Sequence, residues 1–119
     1  MSNNVLEDLY QVVLDRKTQY ASSGESADEI KKKSYTCYLF SQGENKILKK
    51  CGEECTEMVI AAKNHDNNEL KNEISDLLYH IMVLCAEENL PFSEVEAVLE
   101  ERSKKIGNLK VLKQVDHET

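Results

Sequence analysis

Two stretches of the chain, residues 44–63 and 68–88, each repeat apolar side chains at intervals of three and four, and only Asn64-His65-Asp66-Asn67 lies between them. That period marks a helix with one apolar side. The intervening turn is short, so the two helices are expected to pack against each other as an antiparallel hairpin.

The rest of the chain also reads as helical. Val5, Leu6, Leu9, Val12 and Val13 recur at helical spacing behind Asn3 and Asn4, either of which can cap a first helix ending near residues 17–20. Residues 21–26, Ala-Ser-Ser-Gly-Glu-Ser, have the composition of a loop. Residues 30–34 lead into a short second helix, from Tyr35 to Gln42, which Gly43 stops. Pro91 divides the fourth helix from a fifth, which Ser93 and Glu96 start with capping-box spacing and which ends near Gly107. With one proline, four glycines and no long β-branched alternation, the expected fold is all-α: an antiparallel bundle of about four to five helices. Residues 1–107 form one domain in this reading, and the polar residues 108–119 a mobile tail.

The net charge of −7 argues against nucleic acid as a general partner, because that association needs cations on the protein. It leaves a nucleotide ligand open, since a bound metal ion inverts the local charge. No apolar run approaches the roughly 20 residues that span a bilayer. The polar N-terminus, followed by Glu7 and Asp8, lacks the pattern of a signal peptide. A cytoplasmic protein without a membrane partner is expected. The four cysteines, Cys37, Cys51, Cys55 and Cys85, read as reduced thiols acting as small core hydrophobes, three of them among apolar residues at helical spacing. No histidine or second cysteine pair stands at zinc-finger spacing from Cys51 and Cys55.

The apolar stripe of the third helix is Ile47, Leu48, Cys51, Cys55, Met58, Val59 and Ala62, which at about 100° per residue fill an arc of about 120°. Glu54 lies at the edge of that arc, with Glu57 about 60° further round, Lys50 between them in angle, and Glu53 pointing almost directly away. The fourth helix repeats the arrangement. Its stripe is Leu70, Ile74, Leu77, Leu78, Ile81, Met82 and Cys85, with Glu73 at the edge, Asp76 about 60° further round and His80 between them. Packing the stripes together would bring both carboxylate pairs to one side of the seam. Four unpaired carboxylates so placed repel one another, and a hard divalent cation with a preference for oxygen relieves the repulsion. Magnesium also recruits substrate phosphates and lowers the pKa of water. Glutamates at i, i+3 on a helix edge are equally the ordinary make-up of a solvated flank, and periodicity alone does not decide. A di-iron carboxylate bundle requires Glu-x-x-His, and no histidine here follows a glutamate by three.

The run Gly52-Glu53-Glu54-Cys55-Thr56-Glu57, followed after a short hairpin by Glu73-Ile74-Ser75-Asp76, resembles the signature of the all-α nucleotide pyrophosphatases of the MazG type. Further segments are similar to the phosphoribosyl-ATP pyrophosphatase family of histidine biosynthesis. These are Ser34-Tyr35-Thr36 with Leu39-Phe40 and Gly43, Ile47-Leu48-Lys49-Lys50, Val59-Ile60-Ala61-Ala62-Lys63, and Asp76-Leu77-Leu78-Tyr79-His80. The resemblance runs from Leu6 to Arg102. Cys51 and Cys55 depart from it, because that family often holds other small or apolar residues there, and residues 21–33 match no family pattern.

The resemblance implies cleavage of the α–β phosphate bond of phosphoribosyl-ATP to phosphoribosyl-AMP and pyrophosphate, with magnesium and in a homodimer or larger homo-oligomer. It implies Glu54, Glu57, Glu73 and Asp76 as metal ligands and Glu53 and Glu54 as catalytic carboxylates. For Glu53 the roles left open are orienting a ligand or water, meeting a partner subunit, capping a lysine, or a solvated face. Lys50 and Lys63 are candidates to neutralise phosphate; the alternatives are an ion pair of Lys50 with Glu54 or Glu57 and a helix-terminal charge for Lys63. His80 contacts substrate, supports Asp76 or simply sits at the core edge. Tyr35 and Thr36 fall in the segment near substrate, though Thr36 also suits a helix cap. Arg102 reaches phosphate or pairs with Glu100 or Glu101. No Ser-His-Asp or Cys-His arrangement stands out, so water is expected to attack directly without a covalent intermediate. The competing functions are a MazG-type enzyme acting on dUTP, dCTP or non-standard nucleotides, and a helical interaction module without activity.

Overall fold

The computed structural model describes residues 4–105 and contains no strand among them. Six helices follow one another: α1 (Val5–Ser23), α2 (Ala27–Lys33), α3 (Tyr35–Gln42), α4 (Glu44–Lys63), α5 (Asn67–Glu87) and α6 (Phe92–Lys104). The all-α class holds, with one or two helices more than expected.

The additional helix comes from caps that are easily read as loop. Asn4 starts α1 by accepting the N–H groups of Leu6 and Glu7 at 3.0 and 3.1 Å. The helix then continues past residue 20, because Ser22 and Ser23 turn their hydroxyls back onto the carbonyls of Thr18 and Tyr20 instead of breaking the ladder. Tyr20 packs against the core, and Gly24, at φ 65°, ends the helix in the left-handed region. Ser26 caps α2, which buries Ile30. Ser34 ends α2 in extended geometry and at once caps α3, its hydroxyl accepting from the N–H of Cys37 at 3.1 Å.

The expected capping box at the last helix is absent. Pro91 occupies the cap position of α6 without a side-chain bond. Glu96 instead accepts from Asn4 Nδ2 at 2.7 Å, tying the last helix to the first. A helix end near Gly107 and the proposed 108–119 tail lie outside the described residues.

The core is concentrated at one end of the molecule. Met82, Val83, Cys85 and Ala86 of α5 pack with Tyr10 and Val13 of α1, Leu39 and Phe40 of α3, Ile47 of α4 and Phe92 of α6. Tyr10 donates to the Leu90 carbonyl at 2.8 Å, and Lys17 reaches the Ala86 carbonyl at 2.6 Å, so α1 closes the C-terminal end of α5. The α4–α5 hairpin extends from this core toward its turn.

Along the hairpin the burial departs from the expected stripe. In α4 the buried residues are Ile47, Glu54 and Ala61, while Leu48 and Val59 are about half exposed and Cys55 is exposed. In α5, Ile74 and Leu78 are likewise exposed. The seam is therefore rotated toward the carboxylates, and part of the apolar stripe faces outward. At about 100° per residue, Leu48, Cys55, Val59, Ile74 and Leu78 fall on one side of the hairpin and the acidic residues on the other. Of the four free cysteines only Cys37 and Cys85 are core residues.

Candidate metal centre

Glu54, Glu57 and Glu73 meet across the α4–α5 seam, each offering a carboxylate oxygen within 4.8 Å of the others. The i, i+3 spacing on α4 points Glu54 and Glu57 to the same side, and antiparallel pairing brings Glu73 opposite. Glu54 is 7% exposed, and Glu73 Oε2 is buried with no hydrogen-bond partner. Burial pushes the Glu73 carboxyl from its ordinary range up to about 7, helped by proton sharing with Glu57 and Glu69 and by the charges of Glu57 and Glu54. Burial likewise raises Glu54, reinforced by Glu57 and partly opposed by His80 and Lys50.

A buried, partnerless carboxylate oxygen inside a group of three acids offers donors of the kind a hard divalent cation prefers. The residues present fit such an ion. Asp76, expected as a fourth ligand, is exposed on α5 and outside the set of three. An unexpected neighbour is Glu69, one turn before Glu73 and in hydrogen-bonding reach of it. Glu57, Glu69 and Glu73 line an open cleft that runs to Asn64 and Asp66 at the turn. Only the i, i+4 spacing of Glu69 to Glu73 could have signalled this.

Away from the turn the cluster continues into basic and aromatic groups. Lys50 Nζ lies 3.2 Å from Glu53 Oε1 and 3.7 Å from Glu54 Oε1, so Glu53 meets the site through Lys50. His80 is buried, with Nδ1 2.7 Å from the Asp76 carbonyl oxygen and Nε2 3.0 Å from the Tyr35 hydroxyl. Burial raises the Tyr35 phenol, which therefore keeps its proton at neutral pH. Thr36 is buried and hydrogen-bonded to the Tyr79 hydroxyl, a strut between α3 and α5. Lys63 is not brought to the carboxylates; it lines an apolar groove with Met58, Val59, Ala62, His65 and Leu70. Arg102 is exposed on α6, where Glu100 and Glu101 pair with Lys104 and Lys105.

An all-helical domain with a carboxylate cluster across one helical hairpin defines the class: an α-helical protein carrying an acidic site suited to a divalent cation. Residues 20–103 match the family described as phosphoribosyl-ATP pyrophosphohydrolase. The chain is 47% identical to the phosphoribosyl-ATP pyrophosphatase of Streptococcus sanguinis over 113 residues, 95% of this chain and 99% of that protein. It is 46% identical to the protein of the same name from Listeria welshimeri over 112 residues, 94% of this chain and 98% of that one. It is also 58% identical over 85 residues to the histidine biosynthesis bifunctional protein HisIE of Halalkalibacterium halodurans, 71% of this chain and 40% of that protein. The chain belongs to the phosphoribosyl-ATP pyrophosphohydrolase family.

Proposed function

We propose that this chain hydrolyses phosphoribosyl-ATP between its α and β phosphates, releasing phosphoribosyl-AMP and pyrophosphate, with magnesium held by Glu54, Glu57 and Glu73. Family membership supports the reaction. The observation that carries the site is the buried Glu73 Oε2, which has no hydrogen-bond partner and two other carboxylates within 4.8 Å.

When bound, the cation supplies neutralisation of phosphate charge and acidification of water. The chain's own residues do the rest. Glu53 and Glu54 hold the Lys50 ammonium at the end of the cluster, where it faces phosphate oxygens and offsets charge that builds up as the anhydride breaks. Glu54, made more basic by burial, is the acceptor for the proton of the attacking water. Asp76, exposed one turn before His80 on α5, is the remaining acid proposed for the ion. The water oxygen bonds to phosphorus as the bridging oxygen leaves with pyrophosphate, and no enzyme nucleophile is used.

The exposed apolar side of the hairpin supports a second copy of the chain as partner. Leu48, Val59, Ile74 and Leu78 are each exposed and share the helical side away from the acids, the kind of apolar surface that marks an interface. No described helix is long and apolar enough to cross a membrane.

The reaction is tested by incubating purified protein and magnesium with phosphoribosyl-ATP, dUTP, dCTP and ATP separately and measuring pyrophosphate. The proposal expects turnover of phosphoribosyl-ATP well above the others. Preferred turnover of dUTP or dCTP would assign a MazG-type nucleotide pyrophosphatase instead, and no turnover of any would leave an interaction module.

A further inference from the structure

Tyr35 opens α3 and stands 43% exposed, with its ring edge-on to His80 at 72° and 5.7 Å between centroids. The two hydrogen bonds of His80 fix where the protons are. The Asp76 carbonyl can only accept, so in the neutral ring Nδ1 carries the imidazole proton, Nε2 accepts, and the Tyr35 hydroxyl donates. The anchor of this chain is a backbone carbonyl inside α5, which cannot rotate away. His80 is only 6% exposed and has Tyr79 edge-on at 87° as well.

An imidazole with both nitrogens engaged has no ring nitrogen left to offer a substrate. Its effect falls on Tyr35. A half-exposed tyrosine would ordinarily move among rotamers, and ordering it on ligand binding costs conformational entropy. Tethered at its hydroxyl and packed at its edge, this ring is held in one orientation before any ligand arrives. The charges that act on it are those of Lys50, Glu54 and Glu53, so it stands at the rim of the acidic site. Passing from the turn, the groups are Glu69, Glu73, Glu57, Glu54, Lys50 and then Tyr35. A substrate with its phosphates along the carboxylates and Lys50 would carry its nucleoside toward that ring.

We infer that Tyr35 is the platform on which the flat base of the substrate stacks, and that His80 is the positioning residue that holds it there. This rests on the nucleotide-hydrolysing site proposed above. Aromatic rings stack on any base face, so the pair contributes to binding of the nucleoside and not to the breaking of the anhydride.

The test compares wild type with Tyr35→Leu, Tyr35→Phe, His80→Leu, His80→Gln and the double variant Tyr35→Phe/His80→Leu. Steady-state kinetics use phosphoribosyl-ATP at saturating magnesium, and Kd is measured for AMP and, separately, for magnesium pyrophosphate. Tyr35→Leu should raise KM and the AMP Kd by about tenfold, with kcat within about threefold and pyrophosphate affinity unchanged. Tyr35→Phe and His80→Leu each lose the tether but keep the ring. Each should raise KM by about threefold, and the double variant should be no worse than either alone. His80→Gln, whose amide oxygen can still accept the phenol proton, should return KM toward wild type. The inference is overturned if Tyr35→Leu leaves KM and AMP affinity unchanged, if pyrophosphate affinity falls with them, or if the two tether variants multiply. Should the buried His80 variants fail to fold, the Tyr35 variants and the AMP and pyrophosphate measurements decide alone. Wild-type protein that turns over no phosphoribosyl-ATP would instead count against the reaction, a result separate from any change in AMP binding.

Discussion

Glu73 carries most of the chemistry that can be read from one residue. With no cation bound, its carboxyl holds a proton up to about pH 7, where an unfolded glutamate has lost it near 4.5. The folded state then binds the extra proton, so this contribution to stability is fully present below pH 4.5 and is lost as pH rises through about 7. The metal-free protein is therefore expected to melt at lower temperature at pH 8 than at pH 6, and added magnesium to reverse that difference by replacing the proton. Glu73→Gln should flatten the metal-free profile and abolish the magnesium effect, as thermal melts at several pH values would show. Spacing alone treated Glu54, Glu57, Glu73 and Asp76 as equals, because helical angle tells which side a residue is on but not how deep it lies. Depth depends on the tilt of the seam, which buries Glu54 and leaves Asp76 exposed. Glu69 was hidden for a related reason, since an acid in the first turn of a helix is ordinarily explained by the helix dipole.

At the scale of elements, the long hairpin was legible and the short connection before it was not. Helices α4 and α5 span five or more turns each, long enough for their period to be unmistakable, and their bounds fall within a residue or so of expectation. Helix α2 has seven residues, too few to repeat a period. Its one buried side chain, Ile30, gives no pattern. What defines it are the caps Ser26 and Ser34, and serines clustered with glycine are also the composition of a loop. Ser34 serves two helices at once, so Ser34→Ala should cost about 1 kcal/mol or somewhat more. That corresponds to a fall of a few degrees in melting temperature, measurable by circular dichroism. Ser34→Asp, which keeps an acceptor at the cap, should recover most of the loss. The apolar stripes were also legible, but their meaning was not. Leu48 and Val59 sit beside Cys51 and Met58 on the helical wheel, and hydropathy does not distinguish a side chain that packs within the subunit from one kept for a partner.

The whole molecule is an uneven construction, with its core at one end and a hairpin whose outer side is apolar. A strip made of Leu48, Val59, Ile74 and Leu78 left in water carries an aggregation cost that a second copy removes. Replacing Val59 or Leu78 by Lys is expected to shift the protein from dimer or larger to monomer, read by light scattering at micromolar concentration. Retention of the assembly in both variants would place the interface elsewhere. In the proposed reading the two sides of the hairpin serve two tasks, the acids for the ligand and the strip of Leu48, Val59, Ile74 and Leu78 for the partner, while Ile60 is the exposed apolar residue on the acidic side.

If Glu54, Glu57 and Glu73 hold the cation that hydrolysis depends on, turnover of phosphoribosyl-ATP as a function of magnesium must differ between wild type and Glu73→Gln. Wild type should show saturable magnesium dependence, and Glu73→Gln should lose about a hundredfold or more in kcat/KM with the fold intact by circular dichroism. Turnover by Glu73→Gln at the wild-type rate and with the same magnesium dependence would contradict this assignment.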